Sequence, residues 1–391
     1  MDLPALRRWL LQLVGSGGRG SLVELNGADW QRLDRLAALH RLQPLLHAQH
    51  GSNPALPAPI RQVWRDAHRA AALQAMSHRA ALTDCCALLE QAGHAPIALK
   101  GAWLAAHAYP QPALRPMRDL DLLVPLAGVR AAYQLLLEAG YREAEPPEMA
   151  LEDVIRLDKH MPVLISPRGT MIELHHHLWE PDGRLDHASP ATDEAALRGR
   201  AAIGNDHIRY LAPQDTLAHL IVHAVYSHRL DCGPLLLPDI GFLLRAAPIN
   251  WPRFWDQARA GNWRSGARLV LDLVAHYRPG AAIDFAPDQG QPSPPELLDA
   301  APDLLLQELA TRQSAGLLAA ALKAGPARLF QRLRGQRSAA GQIAVTRDMH
   351  HEGGALGWAT SRAWRSVTEL ARPDVRRQSR QLAALSRWLD Q

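Results

Sequence analysis

The sequence predicts an α+β protein in which a small mixed sheet is embedded in a predominantly helical chain. Two observations carry this. The chain of 391 residues is rich in Ala, Leu and Arg, and 47% of it is hydrophobic, a composition that favours helix. Against that background, stretches with strand character gather in one window, at 96–99, 118–124, 160–166 and 171–178. A chain of this length supports two or three compact domains. It divides into a helical region at 1–93, a sheet-bearing core at 94–185 and a second helical domain at 190–285. A linker with a basic helical region follows at 286–391.

In chain order, residues 4–14 have the pattern of a short amphipathic helix closed by Gly15-Ser16-Gly17-Gly18. Asp29 is placed to cap a helix carrying Trp30, Leu33, Leu36 and Leu39, and helical character resumes over 42–47. A Pro-bounded segment at 54–59 precedes a long helix over 60–92, which Gly93 ends. The core then reads strand 96–99, helix 102–109, a proline-containing loop, strand 118–124 and helix 126–139. Strands at 160–166 and 171–178 flank the turn Pro167-Arg168-Gly169-Thr170. Residues 153–159 are expected as a mobile segment that brings Lys159 within reach of a phosphate. From Asp193 onward only helices are expected, one starting at Asp215 and others at 239–244, 251–260 and 265–277. Residues 286–295, rich in Pro, Gln and Gly, form the linker. Helices follow at 302–323 and 326–334, then a polar stretch at 335–357 and a helical segment at 358–390 broken by Pro373.

Composition narrows the function. The net charge is only +4, and no base-reading motif or aromatic-lined basic groove is present, so there is no strong nucleic-acid signal. The charge is uneven, with 12 Arg, no Lys and 5 acidic residues from Ala324 to Gln391. With Trp358, Trp364 and Trp388 among them, this basic stretch is a packing helix that meets solvent, or else a contact for an acidic partner or membrane surface. Cys85, Cys86 and Cys232 make no Cys-x-x-Cys pair, which places the chain in a reducing cytoplasm. The N-terminus lacks the features of a signal peptide, and no run of 18 apolar residues occurs.

Chemistry concentrates at Arg118-Asp119-Leu120-Asp121-Leu122-Leu123-Val124. Alternation with period two puts Asp119 and Asp121 on one strand face and the leucines on the other. Two neighbouring carboxylates repel, and a divalent cation with a preference for oxygen, Mg²⁺ first, is the usual counter-charge. Glu173 lies mid-strand in Met171-Ile172-Glu173-Leu174, where an unpaired carboxylate is costly. A neighbouring strand brings it to the aspartates, and three carboxylates suit a pair of metal ions about 3.5–4 Å apart. Upstream, Lys100-Gly101 ends a strand and opens a helix, a position where glycine lets a phosphate approach the backbone. Arg115 and Arg118 precede the aspartates and are candidates to neutralise phosphate oxygens.

His175, His176 and His177 alternate in direction, so Glu173, His175 and His177 share a face. His175 is a possible accessory group near the carboxylates. A zinc site from Glu173, His175 and His177 is the alternative, although its spacing matches no usual zinc pattern. His219 and His223, four apart on a helix, share a face toward a cleft.

Lys100-Gly101, then Arg115, Arg118 and the Asp119-Leu120-Asp121-Leu122-Leu123-Val124 block, and Ile172-Glu173-Leu174-His175 resemble the uncharacterised nucleotidyltransferase family of the polymerase-β-like superfamily. The segments from Leu211 to Leu217 and from Pro238 to Gly241, and Ile249-Asn250-Trp251, fit the same pattern. The resemblance runs from about residue 30 to 280, with Lys100-Gly101 standing where the superfamily usually has Gly-Ser. It implies a nucleotidyltransferase core at 94–185 and a helical domain at 190–285 that completes the cleft. It implies transfer of a nucleoside monophosphate from an NTP, ATP by default, to an acceptor, with release of pyrophosphate. Asp119, Asp121 and Glu173 would hold two Mg²⁺ ions, with Mn²⁺ as a substitute, and Lys100, Gly101, Arg115 and Arg118 would contact the nucleotide. The acceptor, a small molecule, peptide or protein, is not specified. The alternatives are a non-catalytic nucleotide-binding scaffold on the same fold and a zinc-dependent hydrolase.

Overall fold

The structure is a computed structural model that describes residues 1–15, 22, 25–147, 149–179, 194–307 and 372–390. The chain opens with α1 (Leu3–Gly15), α2 (Gly27–Leu39), α3 (Gln43–His50) and the long α4 (Ala58–Gln91). Asn26, rather than Asp29, caps α2 by accepting from the Asp29 N–H at 2.8 Å. The Asp29 side chain instead binds the N-terminal ammonium at 2.9 Å.

At the far end of α2 the chain turns back through Arg41. The Leu42 N–H reaches the Ala37 carbonyl at 2.8 Å and the Arg41 N–H reaches that of Ala38 at 3.0 Å. This is a Schellman closure, whose left-handed residue is normally glycine. Here it is Arg41, with φ +55°, at a cost of roughly 1 kcal/mol or more.

The sheet follows: β1 (Ile97–Ala98), the helical turn α5 (Gly101–Trp103) running on as a π-helical turn over Leu104–Ala108, β2 (Asp119–Leu123), α6 (Val129–Glu138), β3 (Arg142–Glu143), α7 (Leu151–Leu157), β4 (Leu164–Ile165) and β5 (Met171–His175). Then come α8 (Glu194–Arg200), β6 (Ala202–Ile203), β7 (Arg209–Tyr210), α9 (Pro213–Val222) with a π-helical turn over His223–Ser227, α10 (Leu236–Ala246), α11 (Trp251–Ala260), α12 (Arg264–Tyr277), α13 (Pro295–Leu305) and α14 (Pro373–Leu389). The strand order is β3-β4-β5-β2-β1-β7-β6. β2 runs parallel to β5 and β1 parallel to β7, while the other pairs are antiparallel. The fold is thus α+β with a mixed sheet, as the sequence predicts. The expectation of helices alone after Asp193 is corrected by β6 and β7, which add an edge to the sheet.

Each face of β2 packs on its own core. Leu120, Leu122, Ile172 and Leu174 join Leu82, Cys85, Leu89, Val129, Tyr133 and Leu136 on one side. On the other side, Leu99 and Leu123 join a larger cluster with α1, α9, α10, α12, α13 and α14. α4 serves both, with Ile60 and Trp64 in the larger cluster and Leu82 and Leu89 in the smaller.

Three further expectations change. Residues 153–159 are not a loose segment: α7 covers most of it, and the Lys159 carbonyl accepts from the His176 and His177 N–H groups at 2.9 and 3.1 Å. The segment 286–295 is packed rather than a spacer, because buried Asp288 binds both Arg264 at 2.7 Å and Arg268 at 3.0 Å. In α14, Val375, Leu382, Leu385 and Trp388 are buried, so its apolar face meets the core instead of a membrane. The helix expected at 302–323 begins at Pro295 and is described only to Leu305. Those at 326–334 and 358–371 lie outside the described residues. No described helix is long and apolar enough to cross a membrane.

Candidate active site

The site is built by the pairing of β2 with β5. Asp121 stands opposite Glu173, and Leu123 opposite His175. In parallel register such pairs point the same way, so the carboxylates of Asp121 and Glu173 sit side by side across the strands. One step further along β5, His175 reaches back over both. Its Nε2 lies 2.9 Å from Asp121 Oδ1 and 3.4 Å from Glu173 Oε2. The Asp121, Glu173 and His175 ligand atoms all lie within 4.8 Å of one another, a set able to hold one divalent ion.

Asp119 faces the same cavity but is not part of that set. Asp119, at the start of β2, stands opposite Met171 and so has no ligating partner across the strands, whereas Asp121 stands opposite Glu173.

Lys100 arrives from the strand on the other side. The Leu99 N–H binds the Asp121 carbonyl at 3.0 Å, which carries the chain alongside Asp121. At Lys100 the backbone takes φ +46° and ψ −115°, a region open chiefly to glycine. That conformation puts the ammonium 2.9 Å from Asp121 Oδ1. Gly101 comes next. A Cβ there would stand 2.8 Å from Met117 Sδ and 3.1 Å from an Arg115 nitrogen, so a side chain would crowd the loop that carries both arginines.

The electrostatics follow from these contacts. Burial alone would raise the Asp121 pKa, but the Lys100 ammonium and the His175 hydrogen bond hold it well below the ordinary value. Asp119 goes the other way, because burial and the charges of Asp121 and Glu173 raise it. Glu173 is lowered: burial and the Asp121 charge would raise it, but the His175 hydrogen bond together with the fields of His160 and His175 brings it down. His175 is raised, since its bonds to Asp121 and Glu173 overcome the cost of burying a cation.

The cavity above these groups has a volume of about 470 Å³, within the range of small-ligand sites. Lys100, Gly101, Arg115, Arg118, Asp119, Asp121, Glu173 and His223 all line it. Arg115 is committed elsewhere: it forks onto Asp239 of α10 at 3.0 and 2.9 Å, and the Tyr109 hydroxyl donates to the same carboxylate at 2.7 Å. Arg118 is exposed at the rim. Lys159 also lines the cavity. The helical side contributes His223 and His228, whose rings are 4.3 Å apart. His219 is buried against Trp179 rather than lining the cavity. His177 turns to Glu194 at 3.6 Å, away from Glu173, so the histidine zinc trio is not assembled.

Arg41, His160, His228 and Asp239 also line the cavity. Sequence reasoning assigned none of them a role. Only Asp239 carried a signal, through the Pro-Asp-Ile-Gly segment of the resemblance. The family described as uncharacterised nucleotidyltransferase matches residues 26–279, more than half of the chain. No curated protein matches it.

Proposed function

The chain belongs to the uncharacterised nucleotidyltransferase family, and from that premise we propose a metal-dependent enzyme that transfers a nucleoside monophosphate from an NTP to an acceptor. The observation that carries the reading is the in-register pairing of Asp121 with Glu173, closed by His175, at the floor of a charged cavity.

Asp121, Glu173 and His175 would hold a divalent ion, Mg²⁺ or Mn²⁺. Two carboxylates suit either metal, and the imidazole leans toward the softer Mn²⁺. Asp119, on the same cavity wall, is the candidate ligand for a second ion. Such ions supply counter-charge to phosphate oxygens and Lewis acidity at phosphorus. The protein supplies the rest. Lys100 compensates the Asp121 charge before any ion binds. Gly101 keeps the strand-to-helix turn open to a phosphate, and Arg118 offers a guanidinium at the rim. Arg115 acts on the site through Asp239 and Tyr109, fixing the loop that leads into β2. His223 and His228, on the helical wall, face the space left for the acceptor, a small molecule, peptide or protein.

The test is thermal unfolding with each of the four NTPs, with Mg²⁺ or Mn²⁺ and again after chelation. A nucleotide at a hundred times its Kd stabilises by about 2.7 kcal/mol. The expected result is a metal-dependent rise in Tm with at least one NTP, lost in Glu173→Gln. No rise with any NTP under either metal sinks the proposal.

A further inference from the structure

The cavity carries an imbalance that the carboxylate cluster does not resolve. Lys100 and Arg115 are each matched by a buried carboxylate. Among the described residues, Arg41 and Arg118 have no ion-pair partner, yet both line the same cavity. The Arg41 Nε is buried with no hydrogen-bond acceptor, which is costly for a guanidinium. Burial and the fields of Arg118 and Arg115 push the Arg41 pKa down to about 10, so its surroundings disfavour the charge it bears.

The backbone adds an independent observation. Arg41 occupies the left-handed closing position of α2, where glycine is the unstrained choice. The chain keeps a long cation at a glycine position, and from there the side chain enters the cavity. Strain of this kind persists where the surroundings over-determine it, and it gathers at ligand sites.

We infer that Arg41, together with Arg118, binds the polyphosphate chain of the nucleoside triphosphate. The inference rests on the nucleotidyltransferase reading and names the protein groups that take the ligand's anionic end. An acidic pole at Asp119, Asp121 and Glu173 requires a cation, and a basic pole at Arg41 and Arg118 requires an anion. A metal–polyphosphate complex satisfies both at once. Guanidinium donors match phosphate oxygens in geometry as well as charge. The N-terminal helices thereby become part of the substrate site, through the one turn that delivers Arg41.

The experiment uses the full-length protein with inorganic tripolyphosphate and Mg²⁺ as the probe, beside the four NTPs. The variants are Arg41→Gly, which relaxes the backbone, Arg41→Gln, which keeps the side chain's bulk, and Glu173→Gln. Calorimetry should show tripolyphosphate binding weakened about tenfold or more in both Arg41 variants, the worth of one charge-assisted hydrogen bond. The unliganded Tm of Arg41→Gly should be no lower than that of the wild type, an outcome that a merely structural arginine would not give. Tripolyphosphate and NTP affinities within about twofold of wild type in both Arg41 variants would overturn the inference. If Glu173→Gln still abolished metal-dependent NTP binding, the nucleotidyltransferase reading would stand without it. A wild type that binds tripolyphosphate through Arg41 but binds no NTP would overturn that reading, and with it the nucleotide as ligand.

Discussion

At Asp121 the Lys100 ammonium and the His175 imidazole meet the same carboxylate oxygen, each at 2.9 Å, inside a nearly closed site. Removing that carboxylate strands a buried cation and an imidazole. Loss of one member of a buried pair costs about 3–5 kcal/mol, so Asp121→Ala should lower stability by that order as well as abolish transfer. Asp119 differs in sign. Burial and its two acidic neighbours raise its pKa, so at neutral pH its ionised form works against the folded state. Asp119→Asn should therefore raise Tm slightly while removing metal-dependent activity. Paired urea titrations and NTP-dependent turnover of the two variants decide this. An Asp119→Asn protein less stable than Asp121→Ala would contradict the assignment of charges.

Between elements, the Arg115–Asp239–Tyr109 bond network ties the loop before β2 to α10, across 124 residues of sequence. Asp239 is buried and Arg115 nearly so. Asp239→Asn should cost about 3–5 kcal/mol, because the guanidinium is left uncompensated. The double variant Arg115→Met/Asp239→Leu should cost clearly less than the sum of its single changes, and additive costs would show that the pair does not act as a unit. These long-range partners mark the limit of what the sequence discloses. β2 and β5 were legible because each runs five residues with apolar alternation, and Asp119, Asp121 and Glu173 stood out against it. β3, β6 and β7 are two residues each and mostly exposed or half-buried, so no apolar run marks them, whereas β1 and β4, equally short, lie in apolar stretches. Arg115 could be read as near the aspartates but not as the partner of Asp239, since pairing across the fold leaves no local pattern. Arg41 was invisible for a different reason: helix closures are read from glycine, and here an arginine takes glycine's conformation. His175 was placed correctly on the face of Glu173 by strand alternation. Its approach to Asp121 depended on the parallel register, which alternation alone does not fix.

Across the whole molecule, burial of histidine sets the response to acid. His50, His78, His176 and His219 are buried, and burial lowers the pKa of each, to about 4 for His176. In the unfolded chain they titrate near 6.5. Between roughly pH 6.5 and 4 the unfolded state therefore binds protons that the folded state refuses, and stability falls as pH falls, by up to ~1.4 kcal/mol per pH unit for each such group. His175 acts in the opposite sense. Its folded pKa is raised, so its contribution is full below about 6.5 and lost as pH rises through the folded value. Asp121 and Glu173, both lowered, withdraw their stabilisation only as pH falls below the ordinary carboxylate range, near 4. Burial lowers His40, His47 and His223 as well, so with seven lowered histidines against one raised among the described residues, urea midpoints should drop from about pH 6.5 toward pH 5, before the carboxylates titrate. His50 and His78 lie outside the carboxylate cluster, on α3 and α4. Replacing both with Gln should flatten the slope without altering metal-dependent NTP binding. A stability curve already flat over that range in the wild type would show that these histidines take up protons as readily folded as unfolded.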